Sequence, residues 1–199
     1  MSNPQVNPQW RTETGAAPLL AETLDVYMII EPELWPDWQA QLYQTTSEPF
    51  YSPLFEQTQF ANIELGPVLI ALNEQQLFAI AIDKMQSTPC GCLLFVQQGT
   101  SQASLLGILR ERLVVLTGQS TALLRYYEPR TLLPLLGTMQ DEERSLFFQH
   151  IEQIHWYHGQ WHWVSIDQPI HPPKQYQWTI TPQHISTMQS ILNASSGAV

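Results

Sequence analysis

Apolar residues fall along this chain in two rhythms. Residues 24–30 (LDVYMII), 68–72 (VLIAL) and 91–96 (GCLLFV) are short runs almost without a polar position, the pattern of strands covered on both faces. Other segments repeat at helical spacing: Leu34, Trp38, Gln41 and Leu42 within 33–45, then Leu77, Ile80, Ala81 and Lys84 within 75–85. Residues 101–113 form a third such segment, with Leu105, Ile108, Leu109 and Arg112 along one face and Ser101 placed to cap it. Residues 46–64 are irregular, Gly118 turns the chain, and 122–127 (ALLRYY) reads as a further strand. Strands alternating with helices predict an α/β fold, a mixed, partly parallel sheet flanked by helices. Parallel pairing is expected early on, because long crossovers rather than tight hairpins join the first strands.

Beyond Tyr127 the pattern changes. Residues 130–136 and 141–151 read as helices, the first expected to be short or kinked at Pro134. Residues 156–163 (WYHGQWHW) look like an aromatic hairpin, 168–178 are rich in proline and amides, and 181–193 predict a terminal helix capped by Thr181. The division that follows is a flexible tail over 1–22, an α/β domain over 23–150, and a smaller variable C-terminal lobe of helices and the hairpin over 151–199. The tail rests on Pro4, Pro8, Gly15 and Pro18 in an aperiodic stretch.

Charge sharpens this picture. The 199 residues carry a formal net charge of −10, and charged residues make up only 13%, well below the usual ~25%. Residues 1–83 hold eleven acids and one base, Arg11, whereas 84–199 hold seven of each. Four arginines, 110, 112, 125 and 130, lie within 21 positions. The expected surface is bipolar, with an acidic front half offered to a basic partner and an arginine corner partly engaged internally. Such a balance argues against nucleic acid and against an anionic membrane surface as partners. No apolar run approaches a membrane span, and the N-terminus lacks the basic and apolar regions of a signal peptide. With only Cys90 and Cys92, one residue apart, there is no disulfide framework. A cytoplasmic protein is expected.

Three constellations could carry chemistry. The first is Arg125-Tyr126-Tyr127-Glu128-Pro129-Arg130. Strand alternation would put Arg125 and Tyr127 on one face. Glu128 sits where a helix begins, and Arg130 falls in the first helical turn, where a cation costs ~0.3–1 kcal/mol unless an acid compensates it. A structural Arg–Glu cluster and a partner's carboxylate are the two readings. The second is His155, His158 and His162, which could in principle ligate zinc, although hairpin spacing does not bring them together. Polar tips on an aromatic hairpin are the alternative. The third, Cys90-Gly91-Cys92, has the wrong spacing for a redox pair, so burial is the default. Phosphate-binding, dinucleotide-binding, serine-hydrolase and zinc-protease motifs are all missing from the sequence. From the residues alone, an acidic, soluble α/β domain lacking an evident active site is expected, which suits a binding protein; no cofactor and no metal are expected.

Several segments, taken in order, resemble one family. They are Asp25-Val26-Tyr27, Ser52-Pro53-Leu54-Phe55, Gly66-Pro67-Val68-Leu69 with Leu72, the helix ending Arg110-Glu111-Arg112-Leu113, Arg125-Tyr126-Tyr127-Glu128-Pro129-Arg130, and Phe147-Phe148. Together they are similar to the domain of type VI secretion effector chaperones, or adaptors, with Glu128 replacing the usual Asp and Gln149-His150 standing where Gly-Pro often follows. The likeness covers about 24–150, and 151–199 matches none of the pattern. The resemblance implies a non-enzymatic adaptor that holds a secreted toxic effector and helps load it onto the VgrG spike. It implies partner contacts at Arg125, Tyr127, Glu128 and Arg130, and a variable C-terminal region that reads the effector. Trp156, Trp161 and Trp163 are candidate exposed anchors, because Trp dominates interface hot spots; capping the hairpin's own core is the competing reading. An immunity-like toxin binder and a His-cluster metal enzyme are the alternative functions.

Overall fold

The computed structural model describes residues 12–169, 173 and 175–196. Ten strands and six helices follow one another as β1 (Glu13–Gly15), β2 (Leu24–Ile30), α1 (Trp38–Thr45), β3 (Tyr51–Pro53), β4 (Val68–Ala71), α2 (Gln75–Ser87), β5 (Gly91–Gln97), α3 (Gln102–Glu111), β6 (Val114–Thr117), β7 (Ser120–Leu123), α4 (Pro129–Thr138), α5 (Asp141–Phe147), β8 (Ile151–His158), β9 (Gln160–Ser165), β10 (Thr179–Ile180) and α6 (Pro182–Ser196). Seven strands form one sheet in the order β1-β9-β8-β5-β2-β4-β3, and β10-β6-β7 form a second.

Every pairing in the large sheet is antiparallel, which corrects the expectation of parallel pairing there. The only parallel pair among the described residues is β10 with β6. The physical reason is visible at β4-α2-β5. The helical crossover does join two strands running the same way, but β2 lies between them and pairs antiparallel with both. Crossover length alone does not reveal an intervening strand.

Both faces of this sheet are buried. Tyr27, Ile29, Leu69, Leu94 and Val96 face a core completed by α3, α4 and α5 through Leu105, Leu109, Leu132, Leu136 and Phe147. The alternate residues Met28, Ile30, Ile70, Leu93 and Phe95 face α1 and α2 through Trp38, Leu42, Leu77, Phe78 and Met85. Two-sided burial is what the continuous apolar runs encode. The tightest point is Gly91, where β5 starts beside Ile30: a Cβ there would sit 1.8 Å from the Ile29 carbonyl oxygen.

The aromatic hairpin is part of this sheet, not of a separate C-terminal lobe. β8 pairs with β5, and β9 is covered by β1. The expected tail over 1–22 is corrected in its second half, since Glu13–Gly15 is an edge strand on Trp161–Trp163; residues 1–11 lie outside the described residues. Other expectations shift locally. The predicted helix over 33–45 divides into a 3-10 turn at Pro32–Leu34 and α1, with Pro36 between them. The strand expected over 122–127 is the hairpin β6–β7, ending at Leu123. Pro134 lies inside α4 without ending it; having no amide hydrogen, it cannot donate to the carbonyl of Arg130, in the first turn. Ser101 caps α3, accepting from the Ser104 amide at 3.1 Å, and Thr181 accepts from the His184 amide at 3.2 Å.

Replacing Gly91 by Ala pushes a methyl into a backbone carbonyl that no rotamer can relieve. We expect a loss of roughly 3 kcal/mol or more in urea unfolding. A second prediction concerns acid. Burial beside Phe95 and Trp163 lowers the His155 pKa from 6.5 to about 4. The unfolded chain therefore binds this proton first as pH falls below 6.5, and stability drops by up to about 3 kcal/mol by pH 4. A His155→Phe variant, measured by denaturation from pH 7 to 4, loses that part of the acid sensitivity.

Candidate functional site

A cleft of about 300 Å³ opens where three distant segments meet: Glu31–Glu33 after β2, residues 63–67 before β4, and the chain leaving β7 at Leu123, Arg125 and Tyr127. Each wall has a local cause. The Glu31 amide donates to the Cys90 carbonyl at 2.8 Å, extending the β2–β5 pairing by one residue before Pro32 turns the chain. Gly66 packs so closely on Phe55 that a Cβ would meet the ring at 2.5 Å. The Leu54 amide donates to the Pro67 carbonyl at 2.8 Å. The third wall is a strand-to-helix corner, where Pro129 opens α4 with its fixed backbone angle.

Glu128 holds that corner. Its carboxylate accepts from Arg130 Nε at 2.8 Å and from Arg130 Nη2, with Arg125 Nη1 at 3.6 Å. Because the carboxylate is engaged this way it makes no cap bond to the α4 backbone. Arg125 reaches across the cleft to Glu31 at 2.5 Å and lies over the Tyr127 ring, 5.9 Å from its centre. Burial pushes the Glu31 carboxyl above the usual carboxylate range, Arg125 pulling it down and Glu128 pushing it up. Burial also raises the Tyr127 phenol, with Arg125 opposing. Of the four corner residues, Tyr127 and Glu128 are buried, whereas Arg125 and Arg130 are exposed. Tyr127 and Arg125 do not share a strand face, since both lie beyond the end of β7.

The frame behind the cleft joins the remaining motif residues. Arg110, at the end of α3, donates to the Pro53 carbonyl at 3.0 Å and to Ser52 Oγ at 3.3 Å, fixing the segment that carries Phe55. Arg112 is buried and donates to the carbonyls of Phe147 at 2.8 Å and Tyr176 at 2.6 Å; burial lowers its pKa. The Tyr126 hydroxyl donates to the Leu109 carbonyl at 2.8 Å, and its ring lies edge-on to Phe147 and Phe148.

The tryptophans do not join this site. Trp156 and Trp161 are fully buried, on opposite faces of the large sheet, and Trp163 is half-buried. The expectation of exposure fails because the hairpin occupies an interior position between β5 and β1. His155 pairs with Trp163 and His162 with Trp156, so these two imidazoles also face opposite ways. Burial lowers the pKa of His162 as well. No group of three or more His, Cys, Asp or Glu among the described residues is placed to hold a metal ion. Both cysteines are buried free thiols, that of Cys90 pushed up to about 12.

Sequence reasoning missed Glu31, Glu33, Ile63 and Leu65 as parts of one site. The available signal was local: two aliphatic side chains, 47% and 64% exposed, in a polar loop just before Gly66-Pro67. The corner makes a test of its own. Glu128→Ala strips a buried carboxylate and is expected to cost about 1–3 kcal/mol. Arg130→Ala removes an exposed partner and costs less than about 1 kcal/mol; urea titrations of both variants check the difference.

No helix among the described residues is long and apolar enough to cross a membrane. No curated protein and no solved structure matches the chain. Residues 26–146 match the family model described as "Domain of unknown function (DUF4123)", and that stretch contains the cleft, its corner and most of its frame. It covers more than half of the chain, which therefore belongs to the DUF4123 family, a family associated with type VI secretion effector adaptors.

Proposed function

We propose that this protein is an effector adaptor. It binds a type VI secretion toxin in the cytoplasm of the producing cell and helps load it onto the VgrG spike before export, without catalysing a reaction. The observation that carries the reading is the convergence of separate motif segments on one cleft. Ser52–Phe55, Gly66–Pro67, Arg110–Leu113, Arg125–Arg130 and Phe147-Phe148 are bonded or packed to one another around it. Their polar groups hold each other in place: Glu128 is gripped by two arginines, and Arg112 is engaged by backbone carbonyls. A pre-formed surface of this kind suits recognition, because little ordering remains to be done on binding.

Charge supports the same reading. The exposed basic residues among the described ones are Arg125 and Arg130, and both pair with acids of the corner. Exposed carboxylates such as Glu33, Glu64, Glu74 and Asp83 leave the outer surface acidic. Partner association should then accelerate at low salt.

Co-expression with the toxin and VgrG encoded beside its gene is the decisive experiment. We expect a complex that survives affinity purification, and loss of toxin export when this gene is deleted. A toxin that neither co-purifies nor depends on the gene for its stability and export would overturn the proposal. Protection of a recipient cell against the toxin would instead identify an immunity protein.

A further inference from the structure

β7 is an edge strand, and its last residue, Leu123, lines the cleft two residues before Arg125. The Leu124 amide donates to the Leu113 carbonyl at 2.8 Å. Antiparallel alternation then puts Val115/Ala122 and Thr117/Ser120 in the hydrogen-bonded register with β6. Thr121 and Leu123 consequently turn their N–H and C=O groups away from β6, toward the open side. The strand reads Ser-Thr-Ala-Leu, with none of the lysine, proline or bulge that commonly blocks an edge. Its first three residues are exposed.

The chemistry at the cleft end of this edge is specific. Ile63 and Leu65 present bare aliphatic side chains on the wall opposite Leu123. Glu33 and Glu64 are exposed, and neither forms an ion pair among the described residues. Arg125, the cation in the cleft, is already balanced by Glu31 and Glu128. The site thus brings the end of an open strand, an apolar wall and uncompensated negative charge to one cleft.

We propose that β7 and this cleft form a docking site for an extended segment of a partner protein, in which an aliphatic residue sits beside a lysine or arginine. The segment adds as a strand to β7. Its aliphatic side chain packs on Ile63 and Leu65, and its cation meets Glu33. Main-chain bonds supply affinity and the two side chains supply selectivity, the division of labour in strand addition. This rests on the adaptor reading only for the identity of the natural partner, not for the binding mode.

The probe is a library of random 12-residue peptides displayed on phage and selected on the full-length chain. The expected outcome is a consensus with Lys or Arg next to Val, Ile or Leu. A synthetic peptide of that consensus should lose at least tenfold in affinity to Leu65→Glu and to Glu33→Lys, both exposed changes. Thr121→Pro should weaken it similarly, because the lost N–H faces the open edge and proline is tolerated there. Circular dichroism and urea midpoints confirm that the variants stay folded, and Gln86→Ala, an exposed uncharged change on α2, should leave binding unchanged. No enrichment, or a peptide that binds all the variants equally, overturns the proposal. A toxin that co-purifies equally with wild type and with the cleft variants sinks the docking site and leaves the adaptor function standing. A cleft-dependent peptide without any toxin or spike complex does the reverse.

Discussion

Gly91 lets β5 lie against the Ile29 carbonyl, closer than any side chain would allow. That approach fixes β2 and β5 in register along seven residue pairs, and the register decides which side chains meet which layer. Val26, Met28 and Ile30 go to the side of α1 and α2, while Tyr27 and Ile29 go to the side of α3, α4 and α5. A slip by one residue would exchange the two sets. The cleft depends on the same pairing, because Glu31 is the first residue past β2 and is held by the Cys90 carbonyl, one residue before Gly91.

Arginine gives this fold its second level of order. Arg110 ties α3 to the Ser52–Pro53 segment, Arg112 ties it to the end of α5 and to Tyr176, and Arg144 donates to the Leu136 carbonyl at 2.9 Å. Arg112 alone binds three backbone carbonyls besides the Glu111 carboxylate. A planar fork with five donors can satisfy several carbonyls at a chain crossing, which lysine could not do in the same space. The low content of charged residues therefore coexists with an interior that relies on a few of them.

Much of this was legible in the sequence where pattern and local chemistry agree. β2 runs over the seven residues of its apolar run, and the caps at Ser101 and Thr181 operate as their side chains suggest. The Glu128–Arg130 pair follows from the cost of a cation in the first turn of a helix. Topology was not legible, because the strand inserted within a crossover leaves no mark on the crossover itself. Burial of Trp156 and Trp161 was hidden for a related reason. Alternating aromatic and polar residues look like a half-exposed hairpin until neighbours on both sides are known, and His155 and His162 are buried with them, stacked on Trp163 and Trp156 respectively. The cleft was missed because its walls are 31–33, 63–67 and 123–127, which only tertiary contact brings together.

The acidic exterior acts as a filter on company. Two copies of this chain approaching edge to edge bring like charges together, so self-pairing is opposed at the range of a Debye length, before any backbone bond can form. A strand carrying cations meets the opposite field and is drawn in. The fold can therefore keep β7 open without a lysine or proline guarding it, since long-range repulsion excludes the wrong partner and costs the right one nothing.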